Sequence, residues 1–300
     1  MRVRRDLGFD RPMVLDLSTP TPDQLDDVVA ELASWQQDGV PVQLHPGDLG
    51  WAWRFGSAVL ATSLRVWKVG DAAVAIGFKD ETTLIRMAIA PSADQDESVA
   101  EALVRDLEDP TRGVLDADKV TVEARFGTAF RSLLHAHGWV DGEPWSPLVR
   151  DLRDPVEDPG LRVETVGPEH CGDRVAVHRA AFENSTFTAE AWHRMSRTAA
   201  YRQARCLVGY DGQDDAVAAV TVWSAGPGRP GLLEPMGVHR DHRRLGYGTA
   251  ITVAAAAALR SMGASSALVA TPSSNERGVA TYAAAGFRRL SEVTDFSFPR

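Results

Sequence analysis

The sequence predicts an α/β protein of two domains, in which short strands alternate with helices. The chain has 300 residues, and because a domain usually holds about 100–200 residues, we expect two of them. Residues 151–160 contain two prolines, a glycine and four acids, a composition typical of a linker. Beyond this linker, short apolar runs alternate with longer segments of helical spacing. We therefore predict domains at 1–155 and 156–300.

The C-terminal half is predicted to run β-α-α-β-β-β-α-β-α-β. Runs rich in valine, leucine and isoleucine predict its strands, and Thr188 is a suitable N-cap for its second helix. A long alanine-rich stretch favours a further helix. The strands are expected at 161–166, 206–210, 217–223, 232–238 and 267–272, and the helices at 169–182, from 188, at 249–262 and at 275–286.

The N-terminal half shows a weaker version of the same pattern. The aromatic segment 50–55 fits no period, and we expect it either to pack between the domains or to reach toward a substrate. The strands are predicted at 14–17, 72–78, 83–91 and 120–123, and the helices at 21–35, 99–107 and 130–138.

A basic, glycine-containing loop at 237–249 joins a predicted strand to a predicted helix. Its glycines allow backbone N–H groups to crowd together. The helix start adds unpaired N–H donors and the positive end of the helix dipole, and Arg243 and Arg244 add full charges. The loop therefore predicts a binding site for a pyrophosphate.

Three other phosphate-binding loops are excluded by the residues present. A P-loop requires Gly-Lys-Ser/Thr, which the chain lacks. A dinucleotide-binding loop needs glycine or alanine where Ile251 stands, and an acid after the next strand, which ends in Thr271 and Pro272. A kinase glycine loop joins two strands, whereas this loop precedes a helix.

What remains is the pattern Arg243-x-x-Gly246-x-Gly248, which resembles the phosphate-binding motif of the GNAT superfamily of acyl-CoA-dependent N-acetyltransferases. A second segment, at 275–287, is similar to the family pattern Asn-x-x-Ala-x-x-x-Tyr-x-x-x-Gly-Phe, with Gly278 where alanine is usual. The two motifs stand in the family's order and spacing. The resemblance covers residues from roughly 160 to the end of the sequence.

The resemblance implies two tandem GNAT-like domains, each a mixed, mostly antiparallel sheet flanked by helices. It also implies that the fourth and fifth strands of the C-terminal domain splay apart and admit acetyl-CoA as co-substrate. Backbone groups at 236–238 would pair with the pantetheine arm, and the amides at 244–249 would hold the pyrophosphate. The implied cofactor-binding residues are Met236, Gly237, Val238, Arg243, Arg244, Leu245, Gly246, Tyr247, Gly248, Thr249 and Asn275.

Two side chains are predicted to carry the chemistry. An alkylamine with a pKa near 10 is only about 0.1% neutral at pH 7, so a general base assists its attack. Glu234, in the strand beside the expected co-substrate, is expected to be that base or else an anchor for a cationic substrate. Tyr282, the tyrosine of the second motif, is expected to protonate the departing thiolate or else to pack with one hydrogen bond.

The acceptor is expected opposite the co-substrate, against the first two helices of the C-terminal domain. Aromatic side chains there would contact an alkylammonium group favourably, although core packing is the favoured interpretation for Phe182 and Trp192. The candidates are Phe182, Glu183, Phe187, Trp192, Tyr201 and Trp223.

The N-terminal half is predicted to have lost the CoA site, or never to have had one. When the glycines that are expected to end corresponding helices (Gly138 and Gly286) are aligned, Leu134 falls at the position of Tyr282. The segment 91–98 stands in place of the phosphate loop. It lacks the glycine spacing, and its acids would repel a pyrophosphate.

Charge and composition exclude several other classes. The net charge of −9 argues against a nucleic-acid-binding surface, which is normally basic. Cys171 and Cys206 form no motif with other ligand-type residues, so neither a disulfide framework nor a metal site is expected. The first residues lack the apolar run of a signal peptide, and no stretch of about 18 residues is apolar enough to cross a membrane. We expect a cytoplasmic protein with neither a nucleic-acid nor a membrane partner.

These features predict an N-acetyltransferase that moves acetyl from acetyl-CoA to a primary amine on a small molecule by direct attack. Two alternatives stay open, a non-catalytic acyl-CoA-binding regulatory protein and a protein lysine acetyltransferase. The presence of both Glu234 and Tyr282 favours an enzyme. The sequence carries no signal for the identity of the acceptor, the acyl-chain preference, the oligomeric state or the role of the N-terminal domain.

Overall fold

The computed structural model describes residues 15–116 and 119–299, and its strands form one continuous sheet flanked by helices. The strands are β1 (Leu15–Ser18), β2 (Leu64–Val69), β3 (Ala72–Glu81), β4 (Leu84–Ile89), β5 (Lys119–Glu123), β6 (Val140–Asp151), β7 (Arg162–Thr165), β8 (Ala204–Tyr210), β9 (Ala216–Trp223), β10 (Gly231–Val238), β11 (Ser266–Pro272), β12 (Arg288–Arg289) and β13 (Val293–Pro299). The helices are α1 (Leu25–Trp35), α2 (Pro46–Ala52), α3 (Ser57–Ser63), α4 (Glu97–Glu108), α5 (Thr128–Ala136), α6 (Cys171–Ala181), α7 (Ala189–Ser196), α8 (Ala199–Arg202), α9 (Tyr247–Ser261) and α10 (Glu276–Ala284). Short 3₁₀ turns lie at Pro22–Gln24, Trp53–Phe55, Pro91–Ala93, Pro110–Arg112 and Arg240–His242.

The same sheet plan occurs twice. Across the sheet the strand order is β1-β2-β3-β4-β5-β13-β6-β11-β10-β9-β8-β7, and β12 pairs with β6 beside this path. In each half a run of antiparallel strands leads to one parallel pair, which is β4–β5 in the first half and β10–β11 in the second. The prediction of two tandem, mixed and mostly antiparallel sheets flanked by helices is confirmed.

The two halves exchange a strand at the centre of the sheet. β13, near the end of the sequence, pairs with β5 of the N-terminal half, with Phe296 opposite Val122. β6, which precedes the predicted boundary at 155, pairs with β11 of the C-terminal half, with Val149 opposite Leu268. Each half therefore completes its sheet with a strand from the other. Strand pairing crosses the domain boundary that the sequence predicts, and the boundary itself stays a prediction.

Apolar side chains on the helices bury against this sheet. Helix α9 buries Ile251, Ala255 and Leu259 completely in a core that belongs to the C-terminal half. Helix α4 buries Leu103 in a second core, which extends from the N-terminal half to Trp223 on β9. Because this second core includes side chains from both halves, removing either half would expose apolar surface on the other.

Most predicted elements agree with the structure within a few residues, but the sequence analysis misses β2, β6, β12 and the short helices α2, α3 and α8, and it gives no bounds for the last strand, β13. Gly47 and Gly50 in α2 lower its helical propensity and interrupt any apolar period. Gly138 and Gly286 both have positive φ angles, +84° and +80°, just after α5 and α10, which confirms that each ends a helix. Residue 14, the first of the earliest predicted strand, lies outside the described residues.

Within residues 15–116 and 119–299, no helix is both long enough and apolar enough to cross a membrane. In the same described part of the chain, no three side chains of histidine, cysteine, aspartate or glutamate are arranged so that they could hold a metal ion. Both cysteines are buried and unbridged. The N-terminal segment on which the signal-peptide expectation rests lies outside the described residues.

Candidate active site

A bulge in β10 positions Glu234. The pairing of β10 with β9 shifts register between Leu233 and Met236, as expected of a strand that contains Pro235, which has no N–H group to donate to the ladder. The Glu234–Pro235 peptide bond is cis. The backbone carbonyl of Glu234 accepts a hydrogen bond of 2.6 Å from Nε1 of Trp223. The bulge therefore lies at the point where the ladder loses the N–H donor of residue 235.

Strands β10 and β11 pair over a short stretch and then part. Their parallel register joins only Gly231 to Ala267 and Leu232 to Leu268. Residues 236–238 pair with β9 on one edge, and on the other edge no described strand continues the ladder. This is the splay that the family resemblance implies, and it leaves one edge of the backbone at Met236, Gly237 and Val238 without a partner strand among the described residues.

The start of α9 forms an open anion site. Arg244 and Gly246 have φ angles of +68° and +87°, which turn the chain into the helix at Tyr247. Gly246 is the N-cap, and no side chain caps the helix. Within the described chain, the amides of Tyr247, Gly248 and Thr249 have no hydrogen-bond acceptor. The geometry therefore fits a diphosphate, whose oxygens would satisfy these donors.

The flanking side chains of this loop brace it against α6. The guanidinium of Arg243 donates a hydrogen bond of 2.8 Å to the carbonyl of Ala181, and that of Arg240 donates one of 2.9 Å to the carbonyl of Ala180. Arg244 and Leu245 are exposed. The cofactor contacts predicted for these residues stay predictions, and the structure gives Arg243 a role in holding the loop.

Asn275 caps α10. Its Oδ1 accepts a hydrogen bond of 3.1 Å from the amide of Gly278, and its Nδ2 donates one of 2.8 Å to Oγ1 of Thr271. A Cβ atom at residue 278 would lie 2.4 Å from Nδ2 of Asn275. Glycine at this position, where the family pattern has alanine, therefore leaves room for the cap. The N-cap prediction is confirmed, and a contact with the cofactor stays a prediction.

Tyr282 lies near enough to Glu234 to respond to its charge. It packs in the core of the C-terminal half and is 7% exposed. Burial and the charge of nearby Glu234 both raise the pKa of Tyr282 above its usual value. Within the described chain, its hydroxyl group has no hydrogen-bond partner. The side chain is therefore a protonated phenol near neutral pH, with its proton free to be donated.

The sequence analysis misses a cluster of charged residues that the N-terminal half contributes beside Glu234. Arg86 on β4 lies at its centre, with Nη1 2.9 Å from Oδ1 of Asp48 and 3.7 Å from Oδ2 of Asp80. Nε of Arg86 lies 3.2 Å from Oε2 of Glu123. Burial, reinforced by the charge of Asp48, raises the pKa of Glu234 to about 8. Glu234 can therefore take up and release a proton close to neutral pH.

The cluster extends away from Glu234 through Arg125. Nη2 of Arg125 lies 3.1 Å from Oε2 of Glu123 and 3.6 Å from Oδ1 of Asp295. Although burial opposes its ionisation, Arg125 and Arg86 together hold the pKa of Glu123 below its usual value. Glu123 is therefore an ionised partner of these arginines, whereas Glu234 is poised to exchange a proton.

An aromatic wall lies near the bulge and draws on both halves. The ring of His178 on α6 lies 4.7 Å from that of Phe182, 5.0 Å from that of Phe187 and 5.4 Å from that of Trp51. The guanidinium of Arg54 stacks 4.2 Å from the ring of Trp51. The segment 50–55 therefore packs between the halves and also borders this wall.

Of the residues predicted as possible contacts of the acceptor, some are buried in the core and others are exposed. Trp192 is buried, as expected, and its Nε1 donates a hydrogen bond of 3.1 Å to the hydroxyl of Tyr201. Phe182 is 38% exposed, so the core interpretation of this residue is wrong. It lies at the C-cap of α6, where the helix ends before it can be covered. Trp223 is buried beneath α2 and serves the contact between the halves.

Comparison with known proteins finds one protein family that matches part of the C-terminal half. Residues 175–287 match the acetyltransferase (GNAT) family. No curated protein is similar enough in sequence to supply a function.

Solved structures share the fold over nearly the whole chain. A tandem GNAT protein from the clavulanic acid biosynthesis pathway, solved without AcCoA, has a TM-score of 0.62 at 16% identity, covering 95% of this chain and 98% of that one. A GCN5-related N-acetyltransferase from Sphaerobacter thermophilus has a TM-score of 0.56 at 18% identity, covering 95% of each chain. A GNAT-family acetyltransferase from Colwellia psychrerythraea has a TM-score of 0.59 at 13% identity, covering 95% and 99%. At these identities the similarity concerns the fold.

Proposed function

We propose that this protein is an N-acetyltransferase that moves an acetyl group from acetyl-CoA directly onto a primary amine, at a site in the C-terminal half, where residues 175–287 match the acetyltransferase (GNAT) family. One observation carries the proposal. The open start of α9 lies at the end of the splayed strand β10, and the same strand holds Glu234 near Tyr282.

The chain offers three kinds of contact to acetyl-CoA. The free amides at 247–249 would hold the diphosphate, and the unpaired edge of 236–238 would bind the pantetheine arm. Glu234 lies on the same strand as this edge, and Tyr282 lies near Glu234. Bound acetyl-CoA supplies an electrophilic thioester carbon and a thiol leaving group.

Glu234 and Tyr282 divide the proton transfers between them. Glu234 accepts a proton from the acceptor's ammonium group, and the neutral nitrogen then bonds to the thioester carbon as the carbon–sulfur bond breaks. Tyr282 donates its proton to the departing sulfur and regains one from the nitrogen that has become an amide. Of the two protons that the ammonium loses, one thus reaches the thiol through Tyr282 and the other reaches water through Glu234.

The charge around Glu234 supports a cationic acceptor. Asp48, Glu123 and Glu234 all act on Arg86, so carboxylates outnumber this guanidinium even when one of the three is protonated. A site with this balance attracts an ammonium group and repels an anionic acceptor. The aromatic wall at Trp51 and Phe182 adds faces that favour a cation.

The proposal is tested by thiol release from acetyl-CoA with a library of small primary amines, beside carboxylate-only analogues of the same size. We expect turnover with at least one amine and none with the analogues. Glu234→Gln keeps the shape of the side chain but cannot accept a proton, and we expect kcat to fall about 100-fold or more. Binding of CoA, measured by thermal shift, is expected to survive this change.

A matched control is Glu101→Gln, which makes the same chemical change on an exposed residue of α4 in the N-terminal half and should leave the rates unchanged. Stabilisation by CoA with no turnover on any amine would contradict the proposal and favour a non-catalytic acyl-CoA-binding protein. Acetylation of lysines in proteins, with no small-molecule product, would instead favour a protein acetyltransferase.

A further inference from the structure

The N-terminal half reaches the proposed active site through α2, and we infer that Asp48 on this helix is a positioning residue that shares a proton with Glu234. The inference rests on the proposed function, because it assigns a partner to the proposed base. It gives the N-terminal half a part in the reaction although that half lacks a phosphate loop of its own. Its support is the geometry of α2, the residues that hold it and the charges that surround Glu234.

The start of α2 fixes the Asp48 carboxylate. The helix opens with His45-Pro46-Gly47-Asp48, in which His45 is the N-cap. Oδ2 of Asp48 accepts a hydrogen bond of 2.6 Å from the amide of His45, and Nδ1 of His45 accepts one of 2.9 Å from the amide of Gly47. This reciprocal capping box leaves the other oxygen of Asp48 to face Arg86.

His45 also ties α2 to the C-terminal half. Its Nε2 lies 3.3 Å from the carbonyl oxygen of Pro230, next to the start of β10. Because Nδ1 is an acceptor, Nε2 carries the proton and donates it to that carbonyl. Burial lowers the pKa of His45 to about 4, so this neutral tautomer holds at physiological pH.

Two glycines bring the backbone of α2 onto Trp223. A Cβ atom at residue 47 would lie 2.5 Å from Cγ of Trp223, and one at residue 50 would lie 2.3 Å from Cζ3. Either contact is far below van der Waals distance, so only glycine permits the approach. The same indole donates its N–H to the carbonyl of Glu234. Trp223 therefore connects the helix that carries Asp48 directly to the residue that Asp48 serves.

Charged or titratable groups from five elements face Glu234. They are Asp48 on α2, Arg86 on β4, Glu123 on β5, Arg54 in the 3₁₀ turn after α2 and Tyr282 on α10. Of these, the Asp48 carboxyl group acts most strongly on Glu234, and its Oδ1 is buried with no hydrogen-bond partner among the described residues. A proton would satisfy this oxygen, and two buried carboxyl groups that interact this strongly hold one proton between them rather than ionising together. Arg86 balances the charge that remains.

The consequence for catalysis is a base tuned to neutral pH. Without Asp48, Glu234 would ionise more readily and would be a weaker base when it met the ammonium group. With Asp48 beside it, the pair can accept a proton and hold it close to the site until it passes to water. A positioning residue of this kind changes the pH dependence of the reaction, and a purely structural residue does not.

The test compares wild type with Asp48→Asn, which removes the charge but keeps an oxygen for the amide of His45. The pH at which kcat/KM is half-maximal is expected to fall from about 8 to about 7 or lower. Relative to its own plateau, kcat/KM at pH 6 should then rise about tenfold, while the plateau falls. Carbon-13 NMR of the Glu234 carboxyl group, assigned by its loss in Glu234→Gln, should show the same change in pKa.

Asp80→Asn is the matched control, since it removes the same charge from a residue that also contacts Arg86 but is not within reach of Glu234. Its pH profile should match wild type. An unchanged profile and an unchanged Glu234 titration in folded Asp48→Asn would overturn the inference.

If Asp48→Asn does not fold, titration of the Asp48 and Glu234 carboxyl groups in the wild-type protein tests the inference by itself. The two carboxyl signals must respond together near pH 8, and a single Glu234 transition near its ordinary pKa with no response at Asp48 would overturn the pair. A coupled titration without acetyl transfer to any amine would support the pair and contradict the proposed function, so the two failures are distinguishable.

Discussion

The helix that connects the two parallel strands begins differently in the two halves. This helix is α4 in the N-terminal half and α9 in the C-terminal half. In the N-terminal half, α4 starts after Asp96, whose carboxylate accepts a hydrogen bond of 3.0 Å from the amide of Val99. In the C-terminal half, α9 starts after Gly246, and no side chain caps it. One helix start is closed by its own chain, and the other stays open to an anion. The same fold therefore supports a phosphate site only where the chain leaves its own donors unpaired.

A second acid reinforces the closure in the N-terminal half. Oδ1 of Asp94 accepts hydrogen bonds of 2.8 Å from the amide and 3.0 Å from the hydroxyl of Thr128 at the start of α5. The amide hydrogen bond is the main cause that lowers the pKa of Asp94. The carboxylates of Asp94 and Asp96 thus stand where the other half presents amides and arginines, which agrees with the prediction that this half has no CoA site.

The sharpest way to break the comparison is Gly246→Asp, which places a carboxylate at the N-cap of α9. The new carboxylate would accept hydrogen bonds from the free amides and would repel a diphosphate. We expect affinity for CoA to fall at least about 100-fold, or about 3 kcal/mol. Isothermal titration calorimetry with CoA measures the change.

Gly39→Asp is the control for backbone strain. Gly39 has a φ angle of +82°, close to the +87° of Gly246, and a Cβ atom would meet no neighbour within 4 Å at either position. The control should bind CoA as wild type does. Retained affinity in Gly246→Asp would place the diphosphate elsewhere and would remove the distinction between the two helix starts.

The helices near the end of each half differ in the same way. Tyr282 on α10 corresponds to Leu134 on α5, which is fully buried and apolar. Tyr282→Phe makes the C-terminal half resemble the N-terminal half at this position. Because the proposed proton donor is lost, we expect kcat to fall about 100-fold, with little change in affinity for CoA. Steady-state rates and calorimetry separate the two effects.

Tyr210→Phe removes a hydroxyl from a different part of the C-terminal half, where it donates a hydrogen bond of 2.7 Å to Asp173. This control should keep its rate and lose some stability. A Tyr282→Phe enzyme that turns over at the wild-type rate would show that the hydroxyl takes no part in the proton transfers.

The uncapped helix start and its surroundings in the C-terminal half were predictable from the sequence, because the residues that signal them lie close together in the chain. A glycine with positive φ, a helix start and a helix N-cap each depend on a few consecutive residues, so Gly246 and Asn275 stand where the two motifs predict them. The bulge at Pro235 is equally local, since the missing N–H group disrupts the ladder wherever that residue lies.

The contribution of the N-terminal half was not predictable, because it depends on contacts between residues far apart in the chain. Helix α2 carries two glycines that argue against a helix until Trp223 is seen to pack on them. The capping box at His45 and Asp48 has histidine in place of the usual serine or threonine, and nothing local places it beside Glu234. The exchange of β6 and β13 is likewise a choice of partner that alternating patterns leave open.

The smallest expected effect concerns the capped start of α4 in the N-terminal half. Asp96→Ala removes the cap of α4, and we expect the free energy of unfolding to fall by about 1 kcal/mol, as measured by urea denaturation. Asp96→Asn, which keeps an acceptor for the amide of Val99, should lose less.

Neither change at Asp96 should create affinity for CoA in a chain that already carries Gly246→Asp, because Asp94 still holds a negative charge at the start of α5. CoA binding by the combined variant would contradict the assignment of a single diphosphate site. Unchanged stability in Asp96→Ala would instead show that this carboxylate contributes nothing as a cap.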